Sequence, residues 1–139
     1  MEKLMLRYFP PRVLVTLIFT IFFLQVAATY WHLFFYIWWL DIPMHILGGL
    51  WIALFALASY YGSLAIKEKE YSQLFVTIFA VAMTLSIGLF WEIYEFGVDH
   101  AVGDTEVGLA DALMDLTNDL VGALLAAWLF VRFGYNKKL

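Results

Sequence analysis

Apolar residues run along the chain in four long stretches: Val13–Leu40, Ile42–Ile66, Tyr71–Val98 and Leu109–Phe133. Each exceeds the roughly 20 residues that a helix needs to cross the hydrocarbon core of a bilayer. In lipid the backbone must satisfy its own polar groups, and a helix does so within one segment. The pattern therefore predicts an all-α polytopic membrane protein, a single transmembrane domain (1–139) folded as a four-transmembrane-helix bundle. The first run is long for one crossing, and its end, YWHLFFYIWW at 30–39, is almost wholly aromatic. Two arrangements fit it: one tilted helix reaching the interface, or a helix followed by an interfacial turn. The second run has a readable start, with Asp41 as the expected N-cap and Pro43 in the first turn. Polar connections are expected at Lys67–Glu70 and Asp99–Gly108.

The basic residues orient these helices. All eight Lys and Arg lie in three places: Lys3, Arg7 and Arg12; Lys67 and Lys69; Arg132, Lys137 and Lys138. Four crossings bring the three places to one face, which the positive-inside rule makes cytoplasmic, so both termini are expected inside (N-in/C-in). A three- or five-helix count would break this agreement. Lys3, Arg7 and Arg12 ahead of Val13–Ala28, with Val26-Ala27-Ala28 behind, faintly resemble a signal peptide; the segment is read as a retained first membrane helix.

Composition narrows the picture. Hydrophobic residues make up 64% and charged residues 14%, which places the chain among membrane lipids as its solvent. A net charge of −4 argues against nucleic acid as a partner. The absence of Cys excludes disulfides and thiolate metal sites. A bundle of this size is compatible with a monomer or a homo-oligomer.

The chemistry lies on the other face. Of twelve acidic residues only Glu2, Glu68 and Glu70 belong to the cytoplasmic side; the other nine, and all three His, fall in the outer half or its loops. Helical spacing puts Asp41 and His45 one turn apart, with Gly48 and Gly49 on or near their face. Glu92, Glu95 and Asp99 share a narrow sector, continued inward by Gly88. Asp111, Asp115, Asn118 and Gly122 stack within a sector of roughly 60°, with Asp119 at its edge. Asp119 lies about 15 Å down the last helix at 1.5 Å per residue, where a carboxylate facing lipid costs roughly 2.5–3.5 kcal/mol or more. The three stripes are therefore expected to face one another around a wet cavity, with the glycines permitting close approach. Packed carboxylates repel, and no Lys or Arg stands at this level. Shared protons or a divalent metal ion must balance them, and carboxylate oxygens with one imidazole suit Zn, Mn, Mg or Fe without distinguishing them.

Simpler roles exist for some of these groups. Asp41 can be a cap, Asp111 a first-turn acid favoured by the helix dipole, and Asp99, Asp104 and Glu106 ordinary loop acids. His32 and His100 read as interfacial residues, and the Trp and Tyr cluster as an interface belt. None of these accounts for His45, Glu92, Glu95, Asp115, Asn118 and Asp119 together.

The pattern D-x-P-x-H-x-x-G-G, then W-E-x-x-E, then D-x-x-x-D-x-x-N-D-x-x-G-A, spanning Asp41 to Ala123, resembles the YjdF-like and VanZ-like groups of small bacterial inner-membrane proteins. The resemblance implies a prokaryotic helical bundle in the cell inner (cytoplasmic) membrane, and carries over to Asp41, His45, Glu92, Glu95, Asp115 and Asp119, without a reaction attached. Phosphatidic-acid-phosphatase-type enzymes need a Lys/Arg cluster around the phosphate, which the outer half lacks. Small bacterial diacylglycerol kinase works from cytoplasmic ATP, whereas these acids point outward.

The expected function is that of a metal-dependent membrane hydrolase acting on a lipid-linked or amphipathic substrate. His45, Glu92, Asp115 and Asp119, with Asp41 and Asp111 near them, are the expected ligands of the divalent metal ion; Glu95 is the expected general base and Asn118 the group that orients substrate or water. Two rival readings use the same acids: a cation or proton path in a transport protein, and a structural subunit whose acids pair with a partner's Arg or Lys.

Overall fold

Pro11 opens the first helix because a proline at that position gives up an N–H that would have no partner anyway. The computed structural model describes residues 9–62, 70–102 and 108–137, and every regular element among them is helical. These elements are α1 (Pro11–Tyr30), α2 (Leu33–Tyr36), α3 (Asp41–Gly62), α4 (Gln73–Val102) and α5 (Leu109–Arg132). All but α2 are long and apolar enough to cross a membrane, which gives the four spans expected.

Three boundaries differ from expectation. The first apolar run is broken: after Trp31, His32 takes a left-handed conformation (φ 52°, ψ 36°), and only the single turn α2 follows before Ile37. Histidine is among the residues that tolerate this conformation. The long first run is thus a helix followed by a turn. Phe35, Tyr36 and Trp38 point away from the protein there, as rings of an interfacial belt would. Asp41 is the first residue of α3 rather than the cap before it. α4 continues through Val102, so His100, expected in a loop, is helical and stacks on Phe96 with ring centroids 6.3 Å apart. The expected end of the second run at Ile66, the connection 67–69 and the loop acids Asp104 and Glu106 lie outside the described residues, as does the side chain of Asp99.

α3 and α5 form the closest pair, α4 packs against both, and α1 leans chiefly on α3. Two glycines bring α3 and α5 together. A Cβ on Gly122 would stand 2.6 Å from the Leu50 nitrogen, and one on Gly49 2.8 Å from the Asp119 carbonyl carbon. Neither position admits a side chain, so backbone meets backbone in the small-residue contact common between membrane helices. Beyond this crossing Leu54, Leu57, Val76, Ala80, Ala123, Ala126 and Phe130 are buried together. Rings of Phe9, Tyr61 and Tyr135 close over Phe130, while Asn136 and Tyr71 exchange hydrogen bonds, Tyr71 N to Asn136 O and Asn136 Nδ2 to Tyr71 O. Phe19, Phe22 and Phe23 of α1 and Leu124, Leu125 and Trp128 of α5 face outward, the apolar exterior a lipid-solvated bundle requires.

Candidate metal centre

The α3–α5 crossing decides what meets above it. Asp41 and His45 lie one turn apart on α3, and Asp115 and Asp119 one turn apart on α5. With Gly49 and Gly122 in contact the two pairs face each other. His45 Nε2 is 3.7 Å from Asp41 Oδ2 and 3.7 Å from Asp115 Oδ1, while Nδ1 is 3.5 Å from Asp119 Oδ1. The side chains of His45, Asp115 and Asp119 are 9%, 7% and 6% exposed, so these groups have left solvent almost completely. The two 3.7 Å separations exceed a hydrogen bond of roughly 2.7–3.2 Å. The imidazole therefore has two distinct edges, Nε2 toward Asp41 and Asp115, Nδ1 toward Asp119.

α4 supplies the third wall. One donor atom each from His45, Glu92 and Glu95 lie within 4.8 Å of one another, as do atoms from Asp41, His45 and Asp115. His45 is common to both groups. One turn below Glu92, Gly88 leaves room for the Asp119 carboxylate, whose Oδ2 a Cβ would strike; the next turn places Thr84, fully buried, with Oγ1 donating to the Gly49 carbonyl at 3.4 Å. Glu92 Oε1 and Asn118 Nδ2 are buried without a hydrogen-bond partner among the described residues.

Of the residues singled out from sequence, the structure thus brings Asp41, His45, Glu92, Glu95, Asp115 and Asp119 together. Asp119 takes the Nδ1 edge of His45, apart from the Nε2 edge that Asp41 and Asp115 share. Asp111 is exposed, and it joins neither group although it lines the cavity above them. Asn118 lines neither of the two cavities described next.

A vestibule of about 400 Å³ lies between α4 and α5, walled by Asp41, Glu92, Glu95, Asp111 and Asp115 with Phe96 and Leu109. A second cavity of about 360 Å³ lies between α1, α3 and α4 and is largely apolar; Ile18, Ile21, Met44, Trp51, Ile52 and Ile87 form much of its wall. The two share Asp41 and Glu95, and His45 and Asp119 also line the second. No Lys or Arg lines either. Sequence reasoning missed the second cavity. Its walls read as ordinary membrane-facing residues, and the only hint was Gln25, an amide inside the apolar α1 that borders the space. α1 is held at this wall by the Trp51 indole, whose Nε1 donates to the Leu14 carbonyl at 2.9 Å.

Carboxylates in this number, with the single imidazole of His45 as their basic neighbour, need further protons or a cation to balance them. The donor set of one imidazole nitrogen and several carboxylate oxygens is of the kind that holds divalent metals.

Residues 4–136 match a protein family described as "Predicted membrane protein (DUF2238)". The match bears out the small membrane-protein family implied by the sequence patterns, without singling out the YjdF-like or VanZ-like groups. No curated protein and no solved structure matches the chain.

Proposed function

The chain belongs to that family of predicted membrane proteins, and from there we propose that it is a metal-dependent membrane hydrolase working on an amphipathic or lipid-linked substrate. One observation carries the reading: His45 Nε2, Asp41 Oδ2 and Asp115 Oδ1 converge at separations of 3.7 Å from the nitrogen. Around a four-coordinate ion with bonds of roughly 2.0–2.2 Å, neighbouring ligands stand about 3.3–3.6 Å apart. These atoms are too far apart to hydrogen-bond one another; they stand at ion-pair distance, which is also close to the spacing that a shared divalent ion sets. Asp119 on Nδ1 supplies the outer carboxylate that commonly orients a ligating imidazole. A bound divalent ion would supply a water of lowered pKa. Glu92 and Glu95, on the third wall within 4.8 Å of His45, would serve as proton acceptors. The vestibule would receive the polar part of a substrate.

The transport reading fares less well. Below Asp119 lie Leu57, Val76, Ala80 and Phe130, each no more than 1% exposed, and among the described residues no buried acid continues the path. The reading also keeps the expected arrangement in the cell inner membrane, with the acidic half outward and both termini in the cytoplasm.

Elemental analysis of the purified protein tests the centre directly. Near-stoichiometric Zn, Mn, Mg or Fe in the wild type, lost in Asp115→Asn, is the expected result. Chelation should lower the melting temperature, because it leaves mutually repelling carboxylates in a poorly screened space. Restoring the right ion should recover about 2.7 kcal/mol at a hundredfold excess over Kd. A protein without metal, indifferent to chelator and to added ions, would overturn the proposal and favour the structural-subunit reading.

A further inference from the structure

Resting on the reading of the His45 centre as a substrate site, we infer that its substrate is a single-chain-deep amphiphile bearing an amine, with the alkyl chain in the α1–α3–α4 cavity and the cationic group in the acidic vestibule. Three observations lead there. First, the apolar cavity belongs to the membrane. Its lining comes from spanning segments of α1, α3, α4 and α5, and α1 packs chiefly on α3. A largely apolar space among spanning helices suits an alkyl chain better than water. At about 360 Å³ it falls within the roughly 300–1,000 Å³ of small-molecule sites.

Second, the cavity ends on chemistry. Asp41 and Glu95 belong to both cavities, so a chain lying along Ile18, Met44, Trp51 and Ile87 has its head delivered to the His45 cluster. Third, the charge of the vestibule selects the head. Its lining holds five carboxyl groups, Asp41, Glu92, Glu95, Asp111 and Asp115, and no Lys or Arg. A divalent ion on Asp41 and Asp115 leaves the carboxyl groups of Glu92 and Asp111 on the vestibule wall as acceptors. A phosphate or sulfate head meets like charge there, whereas an ammonium group meets acceptors on several sides.

Gly48 makes the chain bed testable. It lines the apolar cavity, and a Cβ built on it meets nothing within 4 Å. Leucine at this position enters the cavity while the Gly49–Gly122 contact stays intact. The experiment uses the full chain in phosphatidylcholine nanodiscs, with Trp51 as the sole tryptophan and the other five changed to Phe. Trp51 fluorescence is titrated with terminally brominated dodecylamine, dodecyl sulfate and dodecanol. Saturable quenching by the amine is expected, at a mole fraction at least about tenfold below that of the sulfate, the direction that electrostatic complementarity sets. Gly48→Leu should abolish the saturable part, and Asp111→Asn should narrow the amine preference. Quenching that merely tracks partitioning, equal for all three heads and untouched by Gly48→Leu, would overturn the inference.

Metal content is measured on the same samples. Metal retained alongside unselective quenching sinks the amine substrate and leaves the centre standing. Metal absent from the wild type sinks the centre, whatever the quenching shows. Should the single-tryptophan protein not fold, native mass spectrometry of the wild type and Gly48→Leu with equimolar amine and sulfate decides the same point. Bound amine exceeding bound sulfate in the wild type alone is the supporting outcome, and equal binding the opposing one.

Discussion

His45 has neighbours on both edges of its ring, and this gives the residues of the cluster unequal tasks. Asp115 and Asp41 face Nε2, whereas Asp119 faces Nδ1. On that geometry His45→Ala and Asp115→Asn should abolish metal uptake measured by titration with a competing chelator. Asp119→Asn should weaken it by roughly 10–100-fold, the usual effect of losing the carboxylate behind a ligating imidazole. Asp111→Asn should leave metal affinity nearly unchanged, since Asp111 only lines the vestibule. An Asp119→Asn protein as metal-free as Asp115→Asn would mean that Asp119 is itself a ligand. Spacing on the helices put all four of these residues on inward stripes. It could not say which edge of the imidazole each acid meets, because that depends on how α5 is rotated against α3.

Among the elements, the α3–α5 pair carries the site, and its glycines are not equivalent. Gly49 and Gly122 each lie against the backbone of the partner helix, while Gly48, one residue from Gly49, looks into open space. Gly49→Ala and Gly122→Ala should destabilise the bundle by about 1–3 kcal/mol, the ordinary cost of overpacking. Gly48→Ala should be neutral or stabilising by up to about 1 kcal/mol, because alanine is the better helix former. Thermal unfolding of the three variants in one detergent checks the order, and equal losses would contradict the packing described. The adjacent glycines were legible as small residues near a polar stripe, but their opposite surroundings were not. The broken first run shows a similar limit. Aromatic composition allowed both a tilted helix and a turn, and the left-handed backbone of His32 decides for the turn.

At the scale of the molecule, four spans and three clusters of basic residues make one topological prediction. A reporter fused after Lys138 should read cytoplasmic, and a cysteine introduced at Gly103 should react with a membrane-impermeant thiol reagent from outside. Labelling of that cysteine only from the cytoplasmic side would reverse the protein and move the vestibule to the inner face. The division of the bundle into a polar, cavity-bearing half and a filled apolar half holds in either orientation. On the proposed reading, a polar cavity next to an apolar core would suit a protein acting on molecules that arrive from one side or from the bilayer.

Hydrophobic run length by itself determined the number of membrane spans, because a backbone in lipid has few other ways to satisfy its hydrogen bonds. Helical periodicity and the cost of a charge in the membrane likewise determined that His45, Glu92, Glu95, Asp115 and Asp119 turn inward. Only the tertiary structure decided the rest. The placing of Asp119 on Nδ1, the clearance at Gly88 for its carboxylate and the apolar cavity behind His45 all come from interhelix distances and rotations. Those are set where Gly49 meets Gly122 and where Trp51 holds α1, contacts between residues more than thirty positions apart that no local spacing encodes.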